Sequence, residues 1–117
     1  MINGIHAMLY TPRADAVRAF FRDVLGFRTV DAGHGWLIFA LPPAELGVHP
    51  IEGDGPGSQE LYLMCDDIEA TVAELAAKGV ALARPITDQG WGRAASIALP
   101  DGGGELGLYE PRHPTAI

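Results

Sequence analysis

The sequence has one cysteine, Cys65, so an internal disulfide framework and a cysteine-rich zinc site are both excluded. Basic residues are scarce: 8 Lys and Arg stand against 15 Asp and Glu, a formal net charge of −7. A nucleic-acid backbone or an anionic membrane needs a basic surface, so neither is an expected partner. No apolar run approaches the roughly 18 residues of a membrane span. The segment Met1–Tyr10 carries no basic leader of the secretory kind. These absences point to a reduced, cytoplasmic, soluble domain. What the chain has in plenty is apolar surface, with 48% hydrophobic residues, and turn formers, with 15 Gly and 9 Pro. Its 117 residues are one domain's length, long enough to bury a core.

The most informative feature is an internal repeat. Ala40-Leu41-Pro42 followed by Glu45-Leu46-Gly47-Val48 returns as Ala98-Leu99-Pro100 followed by Glu105-Leu106-Gly107-Leu108. Gly35-Trp36 precedes the first copy and Gly90-Trp91 the second. A unit of about 55 residues is too long for a solenoid repeat and near the lower limit for folding alone. Two copies sharing one core are therefore expected: module one at 1–52, a linker at 53–57 and module two at 58–117.

Periodicity gives each copy the same order. Strands are expected at 5–10, 27–30, 36–41 and 45–49, with a helix over 14–25 whose Val17, Phe20, Phe21, Val24 and Leu25 share one face. Gly26 supplies the helix stop. In the second copy strands are expected at 61–65, 94–99 and 105–109, with a weak one at 81–83. A helix runs over 67–78 with Ile68, Val72 and Leu75 in one stripe and Gly79 as its stop. Each half reads βαβββ, and the whole is α+β. Asp88–Arg93 reads as a flexible loop.

Three stretches carry a resemblance. His6-Ala-Met-Leu-Tyr with Ala19-Phe-Phe-Arg-Asp-Val-Leu-Gly-Phe27, then Leu63-Met-Cys-Asp-Asp-Ile-Glu-Ala-Thr, then Trp91-Gly-Arg-Ala-Ala with Leu99-Pro-Asp-Gly, together resemble the vicinal oxygen chelate superfamily. That group includes glyoxalase I, bleomycin-resistance proteins and extradiol dioxygenases. The resemblance implies that 1–117 is a single domain of this type. Two βαβββ modules would form a curled mixed sheet, a cup with the helices outside. It also implies a homodimer. It leaves the reaction open, because the superfamily spans lyases, isomerases, oxygenases and binders.

In such a cup, strand alternation decides which side chains face the ligand. Gly4, His6, Met8 and Tyr10 would face inward on the first strand, and Glu60, Tyr62 and Met64 on its counterpart. Glu45, Gly47 and His49, and likewise Glu105, Gly107 and Tyr109, would face inward on the last strands. The resemblance places metal ligands at His6, Gly47, Glu60 and Gly107. Two of these are glycines and cannot ligate, which leaves His6 and Glu60 as the metal and catalytic candidates. Glu45, His49 and Glu105 lie on the same faces and could supplement them. A His6–Glu60 hydrogen bond tying the modules together is the structural alternative; a general base with its orienting partner is the catalytic one. Glycines at 47 and 107 serve either a bend of the sheet or room for a larger ligand.

Ligand contacts are expected from Tyr10, His49, Tyr62, Trp91, Arg93, Glu105 and Tyr109. Trp91 would act as a lid and Arg93 as an anion clamp; the alternatives are rim packing and a surface ion pair. Trp36 reads as strand packing, Cys65 as a buried thiol, and His34 and His113 as surface residues. Three functions follow. The first is binding of a small organic ligand, an antibiotic or metabolite, without a metal. The second is a glyoxalase-type lyase or isomerase using Zn, Ni, Mn or Fe held by His6 and Glu60. The third is a non-catalytic scaffold. Extradiol oxygenation is disfavoured, because its two-His-one-carboxylate set is not at the matching positions.

Overall fold

A computed structural model describes residues 7–45, 47, 53, 60–114 and 117. Helix α1 spans Ala14–Asp23 and buries Val17, Phe20 and Phe21. Asp15 in its first turn and Arg22 in its last both suit the helix dipole. Its end lies two residues earlier than the apolar pattern implies. Gly26 takes φ of 72°, and the Phe27 N–H returns to the Phe21 carbonyl at 3.1 Å, so Val24 and Leu25 fall in the closing turn. Strands β1, Thr29–Asp31, and β2, Leu37–Phe39, then pair antiparallel. The Asp31 carboxylate accepts the Gly33 N–H at 2.7 Å and fixes their turn. Phe39 and Phe27 pack on Phe21, with ring centroids 5.4 and 5.8 Å away.

The second half runs β3, Tyr62–Met64; α2, Ile68–Ala77; β4, Leu82–Asp88; β5, Gly92–Ala98; and β6, Glu105–Pro111. This is the βαβββ order read from the repeat. The sheet order is β3-β6-β5-β4, with β3 parallel to β6 and the other pairs antiparallel. Helix α2 starts at Asp67, whose carboxylate accepts the Ala70 N–H at 3.0 Å. The core lies between the helices and one face of this sheet: Ile68 and Leu75 meet Ile97, Leu99, Leu106 and Leu108. Val17, Phe20 and Phe21 of α1 join the same cluster. Helix α1 also rests on a 3-10 turn, Pro100–Gly102, where Arg13 Nε donates to the Asp101 carbonyl at 3.0 Å. The architecture is α+β with unclosed sheets. Among the described residues no helix is long and apolar enough to cross a membrane.

Several expectations change. Residues 7–10 of the first expected strand have no strand pairing, because no described strand lies beside them; residues 5 and 6 lie outside the described residues. Of the strand expected at 45–49, Glu45 and Gly47 are described and lie outside the strands, and the rest lies outside the described residues. The weak strand at 81–83 is a seven-residue edge strand, 82–88. It tolerates Pro85 because that edge has no strand partner among the described residues to receive an N–H, and two register shifts kink it there. The flexible loop expected at 88–93 is a hairpin turn: β4 runs to Asp88, β5 begins at Gly92, and the Asp88 carboxylate accepts the Gly90 N–H at 2.9 Å.

Candidate functional site

Alternation along β6 sends Leu106 and Leu108 into the core and turns Glu105, Gly107 and Tyr109 to the opposite face. Across that face the register aligns Arg84, Ser96 and Gly107, with Tyr62 beside Gly107. A hollow of about 640 Å³ opens there, lined by Glu60, Tyr62, Arg84, Ser96 and Glu105 around Gly107. That volume suits a drug-sized molecule.

Tyr62 dominates the floor. Its ring lies on Gly107 so closely that a Cβ added to the glycine would stand 2.7 Å from the Tyr62 Cε1. The room left by Gly107 is thus occupied by the chain's own phenol. The Tyr62 hydroxyl donates to Glu60 Oε2 at 3.1 Å. Burial pushes this phenol above its ordinary pKa, and the neighbouring Glu60 carboxylate adds to the rise. Arg84 Nε contacts Glu105 Oε1 at 2.7 Å, and Ser96 Oγ donates to the same carboxylate at 3.5 Å.

Tyr109 centres an aromatic group at the other end of the same face. Tyr62 and Trp91 stand edge-on to it at 5.8 and 5.5 Å, and His113 stacks at 5.9 Å. The Pro114 carbonyl, 2.8 Å from His113 Nδ1, can only accept, so Nδ1 carries the proton. Nε2 stands 2.6 Å from the Tyr109 hydroxyl. Glu45 Oε1 stands 3.4 Å from that hydroxyl and 4.0 Å from His113 Nε2. Burial first, then Glu45, raises the Tyr109 pKa.

The structure thus brings Glu60, Tyr62 and Glu105 to the hollow, and gathers Glu45 and Trp91 around Tyr109, outside its lining and next to Tyr62. His6 and His49 lie outside the described residues. Tyr10 is 90% exposed and does not line the hollow, because its segment forms no strand to aim it. Arg93 turns to the α2 side, where Nη2 donates to Glu69 Oε1 at 2.8 Å, the surface ion pair of the two alternatives. Trp36 is half-exposed beneath the Arg18 guanidinium, 4.7 Å from its ring centre, and is not packed between strands. His113 is held against Tyr109 and is not a free surface residue. Cys65 is part-buried, and desolvation raises its thiol pKa. Sequence reasoning missed Arg84, because Pro85 hid the strand that carries it. It missed Ser96, although the two-residue alternation from Ala94 would have found it.

Of the two metal candidates, His6 and Glu60, only Glu60 lies among the described residues. Among them no group of three His, Cys, Asp or Glu stands close enough to hold an ion. Position 107 is covered by Tyr62, and Glu60 is engaged by the Tyr62 hydroxyl.

Solved structures share the fold. TnmS3, an antibiotic binding protein from Streptomyces sp. CB03234, is 28% identical, with 95% of this chain and 99% of that chain covered at a TM-score of 0.62. A glyoxalase/bleomycin resistance protein from the same organism is 29% identical over 86% and 94%, with a TM-score of 0.56. Lactoylglutathione lyase from Agrobacterium tumefaciens is 19% identical over 92% and 96%, with a TM-score of 0.60, a likeness of fold alone. No curated protein gives a significant sequence match. A family model covers residues 5–109, and on that match, with the fold described above, the chain belongs to the Glyoxalase/Bleomycin resistance protein/Dioxygenase superfamily.

Proposed function

We propose that this protein binds a small organic molecule in the hollow over β5 and β6, and does so without a chain-held divalent metal. The observation that carries this reading is the Tyr62 ring lying on Gly107. It supplies an aromatic floor where the resemblance places a metal ligand. Likeness to an antibiotic binding protein over 95% of the chain supports the same reading. Glu60, Tyr62 and Glu105 contact the ligand, and Tyr109 and Trp91 close the aromatic end. The chain works as two modules, 1–52 and 58–117, and as a homodimer. The exposure of Val30 at 65% and Trp36 at 52% supports a second copy covering the first half.

The test is a ligand screen followed by variants. Tyr62→Ala and Glu60→Ala weaken binding of any hit by about tenfold or more, whereas Cys65→Ser does not. Loss of binding in Cys65→Ser but not in Tyr62→Ala would remove the hollow from the account. His6→Ala is measured alongside, with Zn, Ni, Mn and Fe added. A stoichiometric ion released by that change would overturn the metal-free reading.

A further inference from the structure

We infer that the hollow selects a planar aromatic molecule bearing a cationic group, with Glu60 as the counter-charge; this rests on the small-molecule reading above. The charged residues that line the hollow among those described are Glu60, Arg84 and Glu105. Arg84 and Glu105 neutralise each other at 2.7 Å. That leaves the Glu60 carboxylate, whose partner among the described residues is the Tyr62 hydroxyl. A phenol is a neutral donor, so the charge stays on Glu60. It uses one of the roughly four acceptor positions a carboxylate offers.

The surroundings of Glu60 set the shape. The floor beside it is the Tyr62 ring lying over Gly107, a flat aromatic surface. A flat group slides over such a floor where a branched one does not. A carboxylate beside an aromatic ring attracts an amidinium or ammonium twice, by ion pairing and by the ring's negative face. An anion meets the opposite. The Arg84 charge it would seek is already matched by Glu105, and it approaches a chain of net charge −7.

Three probes of one size and shape test this: benzamidine, benzamide and benzoate. Each is titrated into isotope-labelled protein near neutral pH, following the amide signals of Leu61, Tyr62 and Gly107 by NMR. Benzamidine is expected to bind about tenfold or more tightly than benzamide, with benzoate weakest. Salt weakens benzamidine and leaves benzamide unaffected, a readout that needs no variant. Glu60→Gln brings benzamidine down to the level of benzamide. If benzamide or benzoate moves those signals at concentrations as low as benzamidine does, the cation preference is wrong while the hollow stands as a binding site. If none of the three moves them at millimolar concentration, both the preference and the binding reading fall.

Discussion

Gly107 shows how one missing side chain organises its neighbours. Its value lies in letting a phenol lie flat on the strand, as cross-strand aromatic and glycine pairs do. Gly107→Ala must push Tyr62 off the floor and should cost about 1–3 kcal/mol in stability, measured by urea unfolding. Tyr62→Ala in the same background should relieve most of that cost. The two hydrogen-bonded phenols make a second prediction. Tyr62 and Tyr109 both have pKa values raised above the ordinary phenol, so the folded state favours their neutral forms. Their contribution is intact below the unfolded phenol value of about 10 and is lost as pH rises through the higher folded values. The melting temperature should therefore fall at alkaline pH, and the Tyr62→Phe, Tyr109→Phe pair should flatten that fall. At this scale the sequence disclosed which residues alternate inward on β3 and β6, because period two is visible in Glu105-Leu-Gly-Leu-Tyr109. It could not disclose that Arg93 faces Glu69, since alternation starts only where a strand starts, and the hairpin begins β5 earlier than the apolar pattern suggests.

The elements differ in how firmly their ends are set. Helix α2 has a capping aspartate and a glycine stop at φ of 83°, so its limits were readable within a residue. Asp67→Ala removes the acceptor for the Ala70 N–H and should cost about 1 kcal/mol, checked by thermal denaturation. Helix α1 has no capping side chain, and Arg13 is spent on the Asp101 carbonyl. Its position therefore comes from packing and not from local sequence. Strand β4 was the least legible element. Pro85 and the polar Arg84, Thr87 and Asp88 look like loop, and a position at the edge of the described sheet makes that composition acceptable.

For the whole molecule, the βαβββ order read from the repeat is seen in the second half, and the core is shared between the residues before and after the expected linker. Val17, Phe20 and Phe21 from the first half lie in one cluster with Leu99, Leu106 and Leu108 from the second. Denaturation should accordingly be a single cooperative transition, with fluorescence and circular dichroism giving the same midpoint. Two separated midpoints would mean that the halves hold independent cores.

The closeness of Tyr62 to Gly107 also bears on ancestry. A lineage that once traded an ion-binding side chain for this arrangement could not retrace that step with one codon. A carboxylate restored at 107 would collide with the phenol before it met any ion, so descendants would need to alter position 62 first or together with it. Substitutions at 62 and 107 should therefore travel as a pair wherever close relatives depart from this chain.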